Sequence, residues 1–222
     1  MMQNKDALLA NSLLFSGLPA EQLREIAAIG VDKKYGKGVS IFFEGDPGIG
    51  FYMVASGKVK IFKMSFDGKE QILHIFGAGE PFGEVPVFHG SPFPANAETL
   101  TEAELIFFPR AEFVHLVTAN PSLALNMLAV LSHRLRRFAA QIENLSLKEV
   151  PGRLASYLFY LAEEQKRRDL VVLDIPKGQL ASLLGTSSET LSRIFAKMTE
   201  EKLIRVEGKT IHLLNLELLR ER

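Results

Sequence analysis

Five polar side chains close to the C-terminus stand one, three or four positions apart: Ser188, Glu189, Ser192, Arg193 and Lys197. On an α-helix, residues with this spacing lie along one face. An arginine side chain can donate two hydrogen bonds to guanine, and a glutamate can accept one from the amino group of cytosine. A helix with both residue types near its start could therefore read base edges in the major groove of DNA.

The same spacing permits a second interpretation, in which Glu189 and Arg193 form an ordinary ion pair on a solvated helix. Such a pair contributes only about 0.2–0.5 kcal/mol. The neighbouring elements help to decide between the two. Residues 177–184 predict a short helix, Gly185 permits a sharp turn, and Ser187 can cap a second helix that carries the five polar side chains.

A β-hairpin is predicted directly after this second helix. Residues 203–206 and 210–214 are strand-like, and residues 207–209 form the turn between them. Two helices, a tight turn and a hairpin in this order make a winged helix-turn-helix. That order favours DNA reading over the surface ion pair.

A long helix is predicted upstream, where Pro121 opens a stretch of heptad-spaced apolar residues. We call this apolar stripe the seam; it comprises Leu128, Leu131, Leu135, Phe138, Ile142 and Leu145. The seam favours a coiled coil between two copies of the chain, and the alternative is a helix that packs on its own domain. A homodimer would present two recognition helices to an inverted-repeat operator.

The N-terminal half changes to short apolar runs after a helical segment at residues 8–28. These runs predict strands at residues 39–43, 51–54, 59–62, 72–76 and 104–108. Glycines at positions 45, 57, 68 and 79 separate the runs at intervals of 12, 11 and 11 residues, as in a small antiparallel roll or barrel.

The expected fold class is α+β, with three parts. Residues 1–120 form an N-terminal double-stranded β-roll that senses an effector, residues 121–148 form the dimerisation helix, and residues 149–222 form the winged helix-turn-helix. Pro151 and Gly152 are expected to break the helical pattern between the last two parts.

Composition excludes several classes of chemistry. The 222 residues include no cysteine, which removes disulfides, thiolate catalysis and cysteine-ligated zinc or iron–sulfur sites. No run of 18 apolar residues occurs, so we expect a cytoplasmic protein without a membrane. The net charge is zero, and residues 148–222 carry 13 basic and 11 acidic side chains, so charge alone does not indicate DNA.

Over nearly its whole length the chain resembles the cyclic-AMP receptor protein and FNR superfamily of bacterial transcription regulators. The resemblance rests on the glycine-punctuated roll, the heptad helix and three motifs: GEPFGE at residues 79–84, LGTSSETLSR at residues 184–193 and GKTI at residues 208–211. It implies a regulator, not an enzyme. The implied partners are double-stranded DNA, a second copy of the chain, RNA polymerase and a small-molecule effector.

The resemblance also implies roles for individual residues. Glu189 and Arg193 match the base-reading positions of the family, Ser188 stands where the cyclic-AMP receptor has an arginine, and Ser192 matches the serine of the FNR branch. The implied half-site is TTGA and not TGTGA. The matching backbone-clamp positions imply phosphate contacts from Lys177, Ser187 and Thr190.

The effector implied by the resemblance is not cyclic AMP. Gly83 and Glu84 match the first half of the family's nucleotide motif, but Pro94 and Ala95 replace its Arg-Ser pair, and residues 138–139 replace its adenine-binding Thr-Ser pair. The expected pocket is mainly apolar and is lined by Phe76, Phe82, Gly83, Glu84, Val85, Phe88, Phe93, Leu135 and Phe138.

Such a lining would suit a small apolar ligand, or haem that senses nitric oxide. His89 and His133 are the first candidates for a haem ligand. Two alternatives remain. One is a constitutive DNA-binding regulator without a ligand, and the other is a cupin-like enzyme, for which His74 and Glu84 form the only suggestive pair.

Overall fold

The computed structural model describes residues 5–12 and 14–220, and the side chains of Phe88 and His89 lie outside the described part. Contacts divide the chain into two compact units, Met1–Leu135 and Arg136–Arg222. The long helix α5, Pro121–Leu147, begins in the first unit and ends in the second.

The first unit consists of strands, with helices before and after them and one short helix between two strands. Besides the start of α5, the helices of this unit are α1 Lys5–Asn11, α2 Ala20–Ile29, α3 Val85–His89 and α4 Arg110–Ala119. The strands are β1 Val31–Tyr35, β2 Ser40–Phe42, β3 Gly50–Ser56, β4 Val59–Met64, β5 Glu70–Phe76, β6 Pro81–Phe82, β7 Asn96–Thr99 and β8 Ala103–Pro109.

Two antiparallel four-stranded sheets form the roll, in the orders β1-β8-β3-β6 and β2-β7-β4-β5. Alternation along β3 gives its sheet two apolar faces. Val54 packs with Phe42 and Phe76 between the sheets, whereas Phe51 and Met53 face the helices. The helix-side core also contains Leu9, Phe15, Ile26, Phe113 and Leu123.

No single helix in the described part is long and apolar enough to cross a membrane. Helices α4 and α5 meet the length and composition test only as a pair, and they are bent by 113° at their junction.

The second unit contains the expected winged helix-turn-helix. Its elements after α5 are α6 Val150–Glu164, β9 Leu170–Val172, α7 Lys177–Leu183, α8 Ser188–Glu200, β10 Ile204–Glu207, β11 Thr210–Leu213 and α9 Leu216–Arg220. β10, β11 and β9 form one antiparallel sheet in that order. Leu154, Leu158, Leu180, Leu191 and Ile204 are fully buried.

The predicted α+β class, roll, long helix and winged helix-turn-helix are confirmed, and two local predictions are wrong. The single helical segment predicted at residues 8–28 is divided: residues 8–11 belong to α1, residues 20–28 belong to α2, and residues 14–19 are not helical. The helical pattern does break between α5 and α6, but at residues 148–149 and not at Pro151 and Gly152. These two residues lie in the first turn of α6, where a proline has no backbone N–H to leave unpaired.

Three strands and two short helices of the roll were not predicted. Strand β1 has the sequence VDKKY and mostly exposed side chains, so it has no apolar run. It lies at a sheet edge, where charged residues are common. Strand β6 has two residues and begins at Pro81, and β7 is largely polar. The pairing of these strands with their neighbours, and not their composition, makes them strands.

Candidate nucleic-acid interface

The turn between α7 and α8 is built on Gly185. Its φ of 65° lies in the left-handed region that favours glycine. The backbone N–H groups of Gly185 and Thr186 donate to the carbonyls of Ser182 and Ala181 at 3.2 and 2.9 Å, which satisfies the carbonyls at the end of α7. This compact turn sets the direction in which α8 begins.

Ser187 caps α8, as the sequence predicts. Its Oγ accepts a hydrogen bond from the backbone N–H of Thr190 at 3.1 Å and donates one to Thr190 Oγ1 at 3.0 Å. The cap holds both hydroxyl groups at the positively polarised N-terminus of the helix, where a phosphate is favoured.

The two faces of α8 separate cleanly. Leu191, Phe195 and Met198 are at most 4% exposed and anchor the helix in the core of the second unit. The opposite face is exposed and carries Ser188, Glu189, Ser192, Arg193 and Lys197. The structure therefore brings all five predicted reading residues together on one open surface.

Glu189 and Arg193 form no ion pair with each other within the described residues. The Arg193 guanidinium instead lies 3.5 Å from Thr190 Oγ1. Lys177, at the start of α7, is exposed, and its Nζ lies 5.0 Å from the centre of the Phe195 ring. The Glu189 carboxylate and the Arg193 guanidinium are therefore available to an external partner.

Arg153 is a positioning residue that the sequence did not indicate. Its guanidinium donates to the carbonyls of Leu145, Lys148 and Leu184 at 2.9, 2.9 and 3.0 Å. One side chain of α6 thus links the end of α5, the residue after it and the helix-turn-helix turn. Arginine has the donor number and planar shape for this task.

The wing is formed by β10 and β11. Glu207 and Thr210 face each other, so Gly208 and Lys209 make a two-residue turn. Gly208 has a φ of 61° at the first central position, where a type II′ turn requires a positive φ. The Glu207 carboxylate bonds Arg205 at 2.9 Å and His212 at 3.2 Å, which braces the hairpin.

The seam of α5 is largely uncovered in the single chain. Leu128, Leu135, Phe138 and Ile142 are 59, 71, 44 and 64% exposed, whereas Leu131 and Leu145 are partly buried. An exposed apolar stripe of this kind is typical of a surface that packs against a partner.

Glu84 of the roll forms an ion pair with a side chain of α5. Its side chain is 7% exposed and forms an ion pair with Arg134, whose guanidinium also donates to the Pro81 carbonyl and lies 5.1 Å from the centre of the Phe76 ring. A buried carboxylate requires such a partner. The sequence did not indicate Arg134, although Glu84 in an apolar setting is a signal that a cation must be near.

The other residues of the predicted effector pocket lie in several environments. Phe76, Phe82 and Phe93 are at most 5% exposed and pack in the core between the sheets, and Phe93 stacks on Phe42 with ring centres 3.8 Å apart. Gly83 is partly buried, and a Cβ at its position would lie 3.2 Å from the rings of Phe42 and Phe93. Val85 is 50% exposed.

The roll interior also holds Tyr52, which stacks on Phe82 with ring centres 5.3 Å apart. Burial raises the pKa of the Tyr52 hydroxyl, and its contact with Tyr35 acts in the same direction. Tyr52 therefore stays neutral and contributes no charge to the roll.

The candidate haem and metal ligands lie in different surroundings. His133 is exposed on α5, and the His89 side chain lies outside the described residues. His74 lies 3.7 Å from Glu80, while Glu84, its proposed partner in a cupin-like site, is paired with Arg134. No group of three His, Asp or Glu side chains in the described residues could hold a metal ion.

Two known protein families match separate parts of the chain. Residues 32–120 match the model of the cyclic nucleotide-binding domain, and residues 152–222 match that of the Crp-like helix-turn-helix domain.

Known regulators are similar to the chain over nearly its full length. The cyclic AMP receptor protein of Thermus thermophilus is 34% identical over 95% of the chain and 96% of that protein. The CRP-like cAMP-activated global transcriptional regulator of Mycobacterium tuberculosis is 31% identical over 98% of the chain and 99% of that protein. The structure of the c-di-GMP responsive regulator CLP of Xanthomonas campestris superposes with a TM-score of 0.77, at 26% identity over 89 and 100%.

Proposed function

Because the chain belongs to the CRP/FNR superfamily of transcription regulators, we propose that it binds, as a homodimer, an operator made of two inverted TTGA-type half-sites. The observation that carries this proposal is the open face of α8, on which Glu189, Ser192 and Arg193 stand together without an ion pair between the two charged groups.

Base reading is assigned to the start of α8. The Arg193 guanidinium donates to the O6 and N7 atoms of guanine, and the Glu189 carboxylate accepts from the amino group of cytosine on the other strand. Ser188 has no charged group for a further guanine, and Ser192 can bond either a base or a phosphate. This set of side chains supports TTGA over TGTGA.

Contacts to the DNA phosphates hold α8 in register with the bases. Lys177, Ser187 and Thr190 lie at or beside the N-termini of α7 and α8, and Lys197 adds a cation on the exposed side of α8. Phosphate contacts of this type supply affinity and orientation, whereas base contacts supply sequence preference.

The dimer forms along α5. The exposed seam of one chain packs against the same seam of a second copy, with Leu135, Phe138 and Ile142 near its centre. The two recognition helices then address half-sites about one turn of DNA apart, about 34 Å. An effector acts by changing the position of α5, and so the geometry of the two helices.

The effector differs from cyclic AMP. Pro94 and Ala95 offer no cation or hydroxyl for a phosphodiester, and Ala95 is 4% exposed. The Arg134 guanidinium is already bonded to Glu84 and to the Pro81 carbonyl. The known relatives named for cyclic AMP therefore do not identify the ligand of this chain.

Fluorescence anisotropy of labelled duplexes tests the operator. We expect tight binding to a duplex with inverted TTGA half-sites and weak binding to a scrambled duplex of equal composition. Arg193→Ala should cost about 1–3 kcal/mol in each half-site and relax the preference at one base pair. Arg168→Ala, an exposed arginine outside the reading face, is the control. Equal affinity for both duplexes would contradict the proposal.

Calorimetry tests the effector. We expect no saturable heat when cyclic AMP is titrated into the protein at millimolar concentration, and no change in operator affinity. Micromolar binding of cyclic AMP would overturn this part of the proposal and leave the operator unaffected.

One alternative is a regulator that binds DNA without a ligand. The pairing of Glu84 with Arg134 favours it, because this carboxylate already has a partner within the chain. Operator affinity measured after exhaustive dialysis, and again with added cell-extract metabolites, separates the two. An affinity that never changes supports the constitutive regulator.

A further inference from the structure

The second unit has a groove along α6, beside α9. Its volume is about 460 Å³, within the range of small-molecule sites. The α6 residues that line it run from Gly152 to Glu163 and share one helix face. None of its lining residues belongs to α8 or to the wing, so the groove is separate from the DNA-reading surface.

The floor of the groove is apolar and partly aromatic. Phe159 and Leu219 line it together with Ala155, which is 3% exposed. The small side chains of Ala155 and Ser156 leave room above the helix, while Phe159 supplies a ring surface. Such a floor favours a flat apolar group over a flexible polar chain.

Two cations line the same groove. The Nζ of Lys148 donates to Ser156 Oγ at 2.8 Å, which leaves two of its three hydrogens for another acceptor. The Arg220 guanidinium lies 5.5 Å from the centre of the Phe159 ring. In the described part of the chain no carboxylate forms an ion pair with Lys148 or Arg220. Glu163 is the acidic lining residue, so the lining carries a net positive charge.

We propose that this groove binds a planar aromatic carboxylate. The ring lies on the floor formed by Phe159 and Leu219, and the carboxylate accepts hydrogen bonds from Lys148 and Arg220. Charge complementarity selects the acid, because no carboxylate among the described residues pairs with either cation, and a bound carboxylate would supply that partner. The proposal concerns a second site and does not depend on the operator or on the effector of the roll.

The probe is 2-naphthoate, titrated into the full chain by isothermal calorimetry. We expect one saturable site per chain, and 2-naphthamide, which has the same ring without the charge, should bind at least about tenfold more weakly. Absence of saturable binding by naphthoate, or equal affinity for the amide, would overturn the proposal.

Variants locate the site. Lys148→Gln and Arg220→Gln should each weaken naphthoate binding by about three- to tenfold, because each removes one charged donor at a solvated rim. Arg168→Gln removes an exposed positive charge from the same unit outside the groove and should leave binding unchanged. Unchanged binding in both groove variants, or an equal loss in the Arg168 control, would show that naphthoate binds elsewhere.

Discussion

At the scale of single residues, Arg153 joins three separate segments of the second unit. The last carbonyls of a helix have no partner within the helix. Arg153 satisfies one near the end of α5, at Leu145, and one just after α7, at Leu184. A single guanidinium therefore replaces what would otherwise be several separate capping groups.

Arg153→Ala should lower the free energy of unfolding by about 1–3 kcal/mol, because three carbonyls lose a charged donor in a partly buried setting. Urea denaturation followed by circular dichroism measures the change. Arg167→Ala, an exposed arginine that follows α6, is the control and should change stability by less than about 0.5 kcal/mol. Equal losses of stability in the two variants would contradict the positioning role of Arg153.

The ion pairs of the roll differ in their expected contributions. Glu84 and Arg134 have side chains only 7 and 15% exposed, whereas Glu44 and Lys63 are each 46% exposed. Removing one member of a buried pair leaves an uncompensated charge, which costs about 3–5 kcal/mol, and an exposed pair contributes less than about 1 kcal/mol.

Arg134→Met should therefore destabilise the chain by several times as much as Lys63→Met in thermal and urea unfolding. The double variant Glu84→Gln with Arg134→Met should recover part of the loss, because neither charge is then left buried. A loss in Arg134→Met no larger than in Lys63→Met would contradict the burial argument.

At the scale of elements, the helix-turn-helix turn depends on one backbone conformation. Gly185 and Gly178 are close in sequence, but only Gly185 has a positive φ. A Cβ on Gly178 would lie 3.6 Å from Ser188 Oγ, an ordinary van der Waals distance.

Gly185→Ala should destabilise the second unit by about 1–2 kcal/mol through left-handed strain. Gly178→Ala should be neutral or stabilising by up to about 0.5 kcal/mol, because alanine favours the helix. Unfolding curves of the two variants, measured side by side, check this opposite behaviour. A loss in Gly178→Ala as large as that in Gly185→Ala would show that space, and not φ, limits the turn.

On helix α5, most of the apolar residues that the heptad spacing places on one stripe are also exposed in the single chain. An apolar seam packs against its copy, and a charge placed on it would face the same charge across the dimer axis. Ile142→Glu should therefore shift the protein toward monomer in analytical ultracentrifugation and weaken operator binding. Ala140→Glu adds the same charge on the opposite side of α5 and should leave the dimer intact. A dimer that survives Ile142→Glu would place the interface elsewhere.

At the scale of the whole molecule, DNA binding depends on the position of charge and not on its amount. The chain has no net charge, so long-range attraction to DNA is weak. Affinity then comes from a few cations placed at phosphates, and each contact releases counterions.

The logarithm of the operator association constant should fall linearly with the logarithm of salt concentration. Lys177→Gln should reduce the slope by about 2, since each chain of the dimer loses one phosphate contact. Lys37→Gln makes the same charge change on the roll, where Lys37 is exposed, and should leave the slope unchanged. An equal reduction in both variants would mean that general charge, and not local contact, governs binding.

The sequence predicted the parts whose information is local. The apolar runs of the roll, the heptads of α5, the cap at Ser187 and the turn glycines at 185 and 208 all depend on residues a few positions apart. The edge strand β1 was not predictable in this way, because its charged sequence becomes a strand only by pairing with β8.

By itself, then, the sequence determined the fold class, the order of roll, long helix and winged helix-turn-helix, and the five residues on the outer face of α8, because periodicity alone places side chains on a face. Only the tertiary structure decided which charges meet. Glu84 and Arg134 are 50 positions apart, and Arg153 and Leu184 are 31 apart. Contacts over such distances follow from how strands and helices pack, and no spacing along the chain encodes them.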